Sequence, residues 1–434
     1  MFKYKSRTLS RGTAILLAAT MVAASFVFAG SAQAASKKSL TILVEGGGKA
    51  ELQPIADLYK KKTGTSIKLV ELPYSGLYDR IQGELGTGKV SFDITAVDAV
   101  WLSAFKDGLM PLDKLFTPKV KADIFPGLLA EGKIGTKNSF GMPFFTNSEI
   151  VFYRTDLFND SKNKADFKAK YGYALAAPTT WDQYKDIAQF FTRDTNGDGK
   201  IDLYGTDVKA GVETEWLATV SQAGEKNMIL NPSTKKVTID SAAHLKALDF
   251  YTSLLPYAPP GAAQIDWGAG QNLFYQGTTA MMRFWGHAYP QTPKDSVVYG
   301  KVGVAPMIAG PGGIAGIPGA WYLSIPKVSK TSADAMKFIA FAQVNNALSA
   351  NTSLGLVSNI SAFKSQEKVA GRENYSAILK TLNSPATFAR PATPKWQEIV
   401  DTVLTPLLQK AVEPGANNAA LLKAAKTQIE GIIK

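Results

Sequence analysis

The sequence has no cysteine and only two histidines, and these absences exclude several kinds of chemistry. Without cysteine there is no disulfide, no thiol nucleophile and no lipid attached through an N-terminal cysteine. His244 and His287 are too few for a histidine-rich metal site. A lone histidine more often packs or hydrogen-bonds than catalyses, although the aromatic residues around His287 make it the more interesting of the two.

Long apolar runs are also absent, apart from one near the N-terminus at residues 14–29. This run is shorter than the roughly 20 residues of a membrane-spanning helix, and the small residues Ala32 and Ala34 follow it as a cleavage site. The pattern predicts a cleaved signal peptide over residues 1–34. An exported protein without a lipid anchor is retained by a cell with two membranes, so we expect a soluble protein of the periplasm. Four basic residues precede the run: Lys3, Lys5, Arg7 and Arg11.

The positive charge is not concentrated in one place. The chain has 48 basic and 36 acidic residues, a net charge of +12, but its longest basic run is the KKK at residues 60–62, inside a predicted helix. Scattered charge of this kind is typical of a solvated surface. We therefore predict no nucleic-acid partner.

The 434 residues are too many for one hydrophobic core, so at least two domains are expected. Near the start, strand patterns at 39–46, 66–72 and 92–98 alternate with helical patterns at 50–64 and 78–88. This order predicts an α/β fold with a parallel sheet, whose ligands bind at the carboxyl ends of the strands. Those ends carry Glu45, Tyr74, Asp98 and Trp101.

The motifs that would indicate an enzyme are either absent or lie in the wrong structural context. GELGTGK at residues 83–89 has the spacing of a phosphate-binding loop, but a helix precedes it, a strand follows it, and Val90 stands where Ser or Thr is needed. There is no G-x-S-x-G elbow. Among 36 acidic residues no pair stands out as the two carboxylates of a glycosidase. The sequence therefore indicates a binding protein rather than an enzyme.

Aromatic residues in loop positions are the more informative feature. Aromatic rings cover the apolar face of a sugar, while polar side chains bond its hydroxyls. We therefore expect a neutral polyhydroxylated ligand. The polar candidates are Glu45, Asp98, Asn147, Glu149 and Arg283. The aromatic candidates are Tyr74, Trp101, Phe144, Phe145, Trp216, Trp267, Trp285, Tyr289, Trp321 and Tyr322.

The stretch TRDTNGDGKIDLYGTD, residues 192–207, resembles a calcium-binding loop. The loop would need a bidentate glutamate at position 205, which is glycine, so a remote acid would have to complete the shell. The alternative is a polar turn in which Asp and Asn bond their own backbone. The sequence leaves both alternatives open. If calcium binds here, we expect it to have a structural role, and we expect no required cofactor. The possible ligands are Asp194, Asn196, Asp198, Lys200 and Asp202.

Six segments, in order, resemble the extracellular solute-binding proteins of family 1, the sugar-binding components of ABC importers that are similar to maltose-binding protein. FDITAVDAVW is the most recognisable, and GAWYLSIP precedes a helix as it does in the family. Residues after about 345 carry little of this signature. The matching segments span residues 51–74, 92–113, 141–158, 177–184, 273–289 and 319–342.

The resemblance implies a two-lobe periplasmic-binding-protein fold of type II, each lobe a mostly parallel sheet flanked by helices, with a ligand cleft at the hinge. It places one lobe at 35–147 plus 281–319 and the other at 148–280 plus 320–434. It also implies a monomer that closes on a carbohydrate or polyol and docks transiently on a membrane permease. The cleft residues it implies are Glu45, Tyr74, Asp98, Trp101, Asn147, Trp216, Arg283, Trp285, His287 and Trp321.

Two alternatives stay open at this point. The same fold could bind a polyamine, an anion or a ferric ion, although no adjacent tyrosine pair is present for iron. A periplasmic carbohydrate-active enzyme using two carboxylates is the other alternative.

Overall fold

The computed structural model describes residues 39–231 and 233–434. The predicted signal peptide, residues 1–34, lies outside these ranges. Within them, no helix combines the length and the apolar character that crossing a membrane requires.

A seven-stranded sheet forms the centre of the fold, and a two-stranded hairpin lies apart from it. The strand order in the sheet is β2-β1-β3-β9-β4-β5, with β6 also paired to β4. The strands are β1 (Ser39–Glu45), β2 (Ser66–Leu72), β3 (Ile94–Asp98), β4 (Met142–Arg154), β5 (Met281–Trp285), β6 (Val302–Ala305), β7 (Ala309–Gly310), β8 (Gly313–Ile314) and β9 (Pro318–Ser324).

Among the strands of the seven-stranded sheet, parallel pairing is found only between the first three. β1 pairs with β2 and with β3 in parallel, as the alternation of strands and helices predicts. All other pairings in the sheet are antiparallel: β3 with β9, and β4 with β5, β6 and β9. The expected parallel sheet is therefore found only in this first part, because the later strands are not joined to their partners by single crossover helices.

Helices surround the sheet. They are α1 (Gly48–Thr63), α2 (Tyr74–Thr87), α3 (Leu102–Phe105), α4 (Pro118–Ala122), α5 (Pro126–Glu131), α6 (Thr155–Asn159), α7 (Ser161–Tyr171), α8 (Trp181–Phe191), α9 (Thr214–Gln222), α10 (Ala242–Thr252), α11 (Trp267–Tyr275), α12 (Ser332–Val344), α13 (Ile360–Gln366), α14 (Glu373–Leu382), α15 (Trp396–Ile399), α16 (Thr405–Ala411) and α17 (Asn418–Ile432).

Local sequence explains α1 well. Leu52, Ile55 and Tyr59 are buried along one stripe at helical spacing, which packs the helix on the sheet. Gly64 ends the helix in the left-handed conformation, with φ of 77°, and its N–H donates to the carbonyl of Lys60. A glycine adopts this conformation without a steric penalty from Cβ.

The long strand β4 is shared by two halves of the sheet. Its residues 142–148 pair with β9, and its residues 149–154 pair with β5 and β6. A register shift between Pro143 and Phe145 bends β4 near the start of this path. β4 and β9 therefore connect the parallel first part of the sheet to the antiparallel second part.

The strand pairing distributes the segments differently from the predicted lobes. β5 and β6, which the prediction placed with residues 35–147, pair instead with residues 149–154 of β4. Residues 321–324 of β9, which the prediction placed with the other lobe, pair with β3. The described chain forms one compact unit, so the division into two lobes stays a prediction.

Candidate functional site

A cavity of about 250 Å³ opens where the parallel strands end. β1 ends at Glu45, β3 ends at Asp98, and α2 begins at Tyr74 just after β2, so all three side chains meet at one edge of the sheet. This is the position at which parallel sheets bind ligands. The lining is Glu45, Gly46, Tyr74, Asp98, Phe145, Asn147, Trp267, Gln271, Phe284, Trp285, His287, Gly319, Trp321, Leu354, Leu356 and Arg390.

Seven of the ten residues predicted for the cleft line this cavity. They reach it from the ends of β1, β3 and β5, the start of α2, the turn after β5, and the shared strands β4 and β9. These seven are Glu45, Tyr74, Asp98, Asn147, Trp285, His287 and Trp321.

Trp101 lies behind the wall of the cavity rather than in it. Its ring centroid is 4.4 Å from that of Tyr74 and 5.4 Å from that of Trp321. Its indole N–H donates to Oε1 of Gln397 at 3.2 Å, and the residue is buried. Trp101 therefore supports two lining rings through packing.

Trp216 and Arg283 lie in the core, away from the cavity lining. Trp216 is fully buried on α9, where nearly every residue is enclosed by neighbours. The guanidinium of Arg283, also fully buried, is 3.1 Å from Oε2 of Glu215 and lies over the rings of Tyr184 and Tyr251. For these two residues the structure gives a role in packing and charge pairing instead of ligand contact.

Arg283 belongs to a buried charge network beside the cavity floor. Nζ of Lys209 lies 2.7 Å from Oδ2 of Asp207, contacts the carboxylate of Glu215, and donates to the carbonyl of Arg283 at 3.1 Å. Glu149 is a further buried acid, and its burial together with Glu215 raises its pKa to about 8. Glu149 is directly paired with the lining residue Trp285 across β4 and β5, so the network lies close to the floor of the cavity.

Asp98 is held by three donors on the cavity wall. The Tyr74 hydroxyl donates to Oδ2 at 3.0 Å, the backbone N–H of Val100 donates to Oδ1 at 3.2 Å, and Nη2 of Arg390 lies 3.4 Å from Oδ1. Nη1 of Arg390 also lies 3.8 Å from Oε1 of Glu213. These three contacts satisfy the buried carboxylate and fix its orientation on the wall of the cavity.

Two other ionisable groups of the lining are neutral near pH 7. Burial, with the nearby charges of Asp98 and Glu71, raises the pKa of Glu45 to about 8. Burial lowers the pKa of His287 to about 4. The cavity thus presents a protonated carboxyl group and an uncharged imidazole.

The tautomer of His287 follows from its neighbour. Oδ1 of Asn147 accepts the N–H of Ser148 at 2.9 Å, so its Nδ2 is the donor toward Nδ1 of His287 at 2.8 Å. A neutral imidazole that accepts at Nδ1 carries its proton on Nε2. His287 can therefore donate a hydrogen bond through Nε2.

Sequence reasoning missed Arg390, Gln271, Phe284 and the two leucines of the lining. Arg390 lies between α14 and α15, in the part of the chain without recognisable motifs. The signal for Phe145 and Trp267 was present, since both were among the loop aromatics. Gly319 has its own signal: a Cβ there would lie 2.6 Å from the ring of Trp285, so glycine lets this ring lie against β9.

The side chains of the calcium-like loop accept hydrogen bonds from the loop itself. Asp194 accepts the backbone N–H groups of Asn196, Gly197 and Gly199, and these bonds lower its pKa. Asn196, Asp198 and Asp202 likewise accept from donors of the same loop. Throughout residues 39–231 and 233–434, no three His, Asp or Glu side chains are grouped closely enough to hold a metal ion.

Position 205 has no room for the missing glutamate. A Cβ on Gly205 would lie 1.9 Å from the carbonyl oxygen of Ala188 in α8. The close approach of α8 therefore requires glycine where a calcium loop needs its bidentate acid. Calcium binding by this loop stays a prediction.

Comparison with known proteins places the chain in a family. Residues 44–346 match the bacterial extracellular solute-binding proteins. A probable ABC transporter-binding protein of Deinococcus radiodurans is 32% identical over 314 residues, which cover 69% of this chain and 70% of that protein.

Solved structures share the fold. A solute-binding protein of Agrobacterium radiobacter K84, in complex with ribitol, is 23% identical with a TM-score of 0.74, covering 91% of this chain and 98% of that one. Another from Thermotoga lettingae, bound to α-D-tagatose, is 24% identical with a TM-score of 0.75, covering 92% and 100%. The chain belongs to the bacterial extracellular solute-binding proteins.

Proposed function

We propose that this solute-binding protein captures a small neutral carbohydrate or polyol for an ABC importer. The observation that carries the proposal is the lining of the 250 Å³ cavity, which combines aromatic rings with hydrogen-bonding groups. The rings of Tyr74, Trp285 and Trp321 offer apolar faces, and Asn147 and His287 offer polar edges. This pairing suits a ring or chain with one C–H face and several hydroxyls.

The size of the cavity favours a small ligand. Pockets for drug-sized ligands measure roughly 300–1,000 Å³, and this cavity is smaller. The two structural neighbours bind small ligands, the polyol ribitol and the monosaccharide tagatose. We therefore favour a monosaccharide or polyol over an oligosaccharide.

The proposed mechanism is capture and presentation. Two lobes close on the ligand, and the closed form docks transiently on the permease without making or breaking a bond. The basic N-terminal residues and the apolar run at 14–29 support export to the periplasm through a cleaved signal peptide. A monomer is part of the same proposal.

A thermal-shift screen against sugars and polyols tests the proposal. A ligand that binds only the folded state at a hundredfold excess over Kd stabilises it by about 2.7 kcal/mol, so Tm rises. We expect a shift with at least one compound of the size of ribitol, tagatose or mannitol. No shift with any carbohydrate or polyol would contradict the proposal, and chemical conversion of the ligand, followed by chromatography, would favour the enzyme alternative.

The acids of the lining favour one second candidate, a cationic ligand such as a polyamine. Glu45 and Asp98 lie among aromatic rings, an arrangement that also suits an amine. Arg390 opposes this alternative because its positive charge lies against Asp98. An anionic ligand would need a free cation, and Arg390 is already held by Asp98 and Glu213.

A further inference from the structure

A second and larger cavity, of about 520 Å³, lies on the opposite side of the β4–β9 pair. Along β4, Phe145 and Asn147 face the first cavity while Thr146 faces the second. Along β9, Gly319 faces the first cavity and Pro318 the second. Successive residues of a strand point to opposite faces, so these two strands form the partition between the cavities.

The second cavity is mainly apolar. Three segments supply its walls: α5 with the residues after it, the chain at 226–230 after α9, and the chain at 382–392 after α14. A volume of 520 Å³ is within the range of small-molecule pockets. The apolar side chains that line it are Phe125, Leu128, Ile134, Leu230, Leu382 and Phe388.

The charged groups of this cavity favour an anion. Lys226 and Arg390 are its two cations, and Glu131 is its one acid. Glu131 accepts the hydroxyl of Tyr322 at 3.0 Å, and burial raises its pKa to about 7, which weakens its negative charge near neutral pH. Arg390 is shared with Asp98 and Glu213, so Lys226 is the cation available to a ligand.

Backbone strain is concentrated at the same place. Three described residues other than glycine have positive φ; one of them lines this cavity and a second directly follows a lining residue. Ile134, with φ of 51°, is part of the lining, and Met228, with φ of 49°, lies between the lining residues Asn227 and Leu230. A left-handed conformation is a marked outlier for a β-branched residue, and such strain is found preferentially at ligand sites and switch regions.

We propose that this cavity is a second binding site, for a small amphipathic anion such as an aromatic carboxylate or sulfonate. The apolar body lies against Phe125, Leu382 and Phe388, and the anionic group faces Lys226. The site lies on the opposite face of the β4–β9 pair from the solute cavity, and Arg390 is the one residue that lines both.

The test uses the purified full-length protein and the fluorescent probe 8-anilinonaphthalene-1-sulfonate. We expect saturable fluorescence that a neutral polyol does not displace. Two variants reduce the affinity for the probe at least about tenfold. Ala130→Trp/Ala389→Trp fills the cavity from two exposed positions, and Lys226→Met removes the cation.

A matched control is Ala419→Trp on α17, which is exposed and lines neither cavity. We expect wild-type affinity for this variant, and Lys226→Met remains informative if the double variant folds poorly. The proposal is overturned if no saturable binding occurs, or if both cavity variants bind the probe as the wild type does. It is also overturned if Trp285→Ala abolishes binding, since the probe then occupies the solute cavity.

Discussion

Glu45 is the residue whose protonation distinguishes a neutral ligand from a cationic one. Burial and the charges of Asp98 and Glu71 raise its pKa to about 8, so it is mainly protonated at pH 7 and can donate to a hydroxyl. If the ligand is a neutral polyol that accepts a hydrogen bond from this protonated carboxyl group, affinity is constant below pH 8 and falls as Glu45 ionises above it. A cationic ligand gives the opposite slope, because it prefers the ionised carboxylate.

Calorimetric titrations between pH 6.5 and 9 measure this dependence. For a polyol we expect Kd to rise above pH 8 in the wild type and to stay constant in Glu45→Gln, which keeps a donor at all pH values. An affinity that increases with pH in the wild type would favour the polyamine alternative.

Trp285 is the ring for which we expect the largest loss of affinity. It lines the cavity beside Gly319, whose missing Cβ gives its ring room against β9. Trp285→Ala should weaken ligand binding by about 2 kcal/mol, roughly thirtyfold in Kd, as the loss of a buried aromatic anchor does. Trp181→Ala is the control, since Trp181 stacks on Phe250 outside the cavity lining. It should lower Tm and leave Kd unchanged, and equal Kd values for both variants would contradict the account.

Strand ends could be located from sequence, and this explains why most of the predicted residues line one cavity. Glu45 and Asp98 follow apolar strands of a parallel unit, so topology alone brings them together. Trp216 and Arg283 could not be separated from cleft residues in this way, because an aromatic or charged residue near a motif is equally compatible with the core. Arg390 is the opposite case: it lines the cavity, but no motif in the sequence around it indicated a site residue.

At the scale of elements, the buried charge network gives β4 a pH-dependent contribution to stability. The pKa of Glu149 is about 8, above the 4.5 of an exposed glutamate. With the pKa raised by folding, the unfolded state releases this proton first, so Glu149 opposes folding increasingly between about pH 4.5 and pH 8. Glu149→Gln should therefore match the wild type in Tm near pH 4 and exceed it near pH 9.

Thermal unfolding at several pH values measures the effect of Glu149→Gln. The control is Glu367→Gln, at an exposed position after α13, which we expect to follow the wild type. A difference in Tm between Glu149→Gln and wild type that does not grow with pH would show that Glu149 is ionised in the folded protein.

The loop at 194–202 resembles a calcium-binding loop in sequence, but its surroundings in the structure do not favour calcium. Its carboxylates accept hydrogen bonds from their own loop, and Gly205 has no space for the closing acid. We therefore expect a chelator to leave Tm unchanged, as for a polar turn. A lower Tm that added calcium restores would establish the structural-calcium alternative, and Asp194→Asn should then abolish the restoration.

Element prediction was accurate where periodicity was local. The first three strands and α1 lie within about two residues of their predicted bounds. The antiparallel pairing of β4 with β5, β6 and β9 was not predictable in the same way, because these pairs join residues more than a hundred positions apart. The helices α13–α17 were missed because that part of the chain carries no motif.

At the scale of the molecule, the family predicted from six segments is confirmed by the match over residues 44–346. β4 and β9 pass between the two parts of the sheet, and the solute cavity lies on one face of this pair. We therefore propose these strands as the hinge of the proposed closure, in which small changes at the crossing would move the walls that carry Tyr74 and Trp285.

The central claim is that the 250 Å³ cavity binds a small neutral polyhydroxylated solute without altering it. The most direct measurement is isothermal titration calorimetry with ribitol, tagatose and mannitol, followed by chromatographic recovery of the ligand. The account predicts one-to-one binding of at least one of these compounds or a similar sugar, a weaker Kd for Trp285→Ala, and recovery of the ligand unchanged. Absence of binding across neutral sugars and polyols, or binding that Trp285→Ala leaves intact, would contradict it.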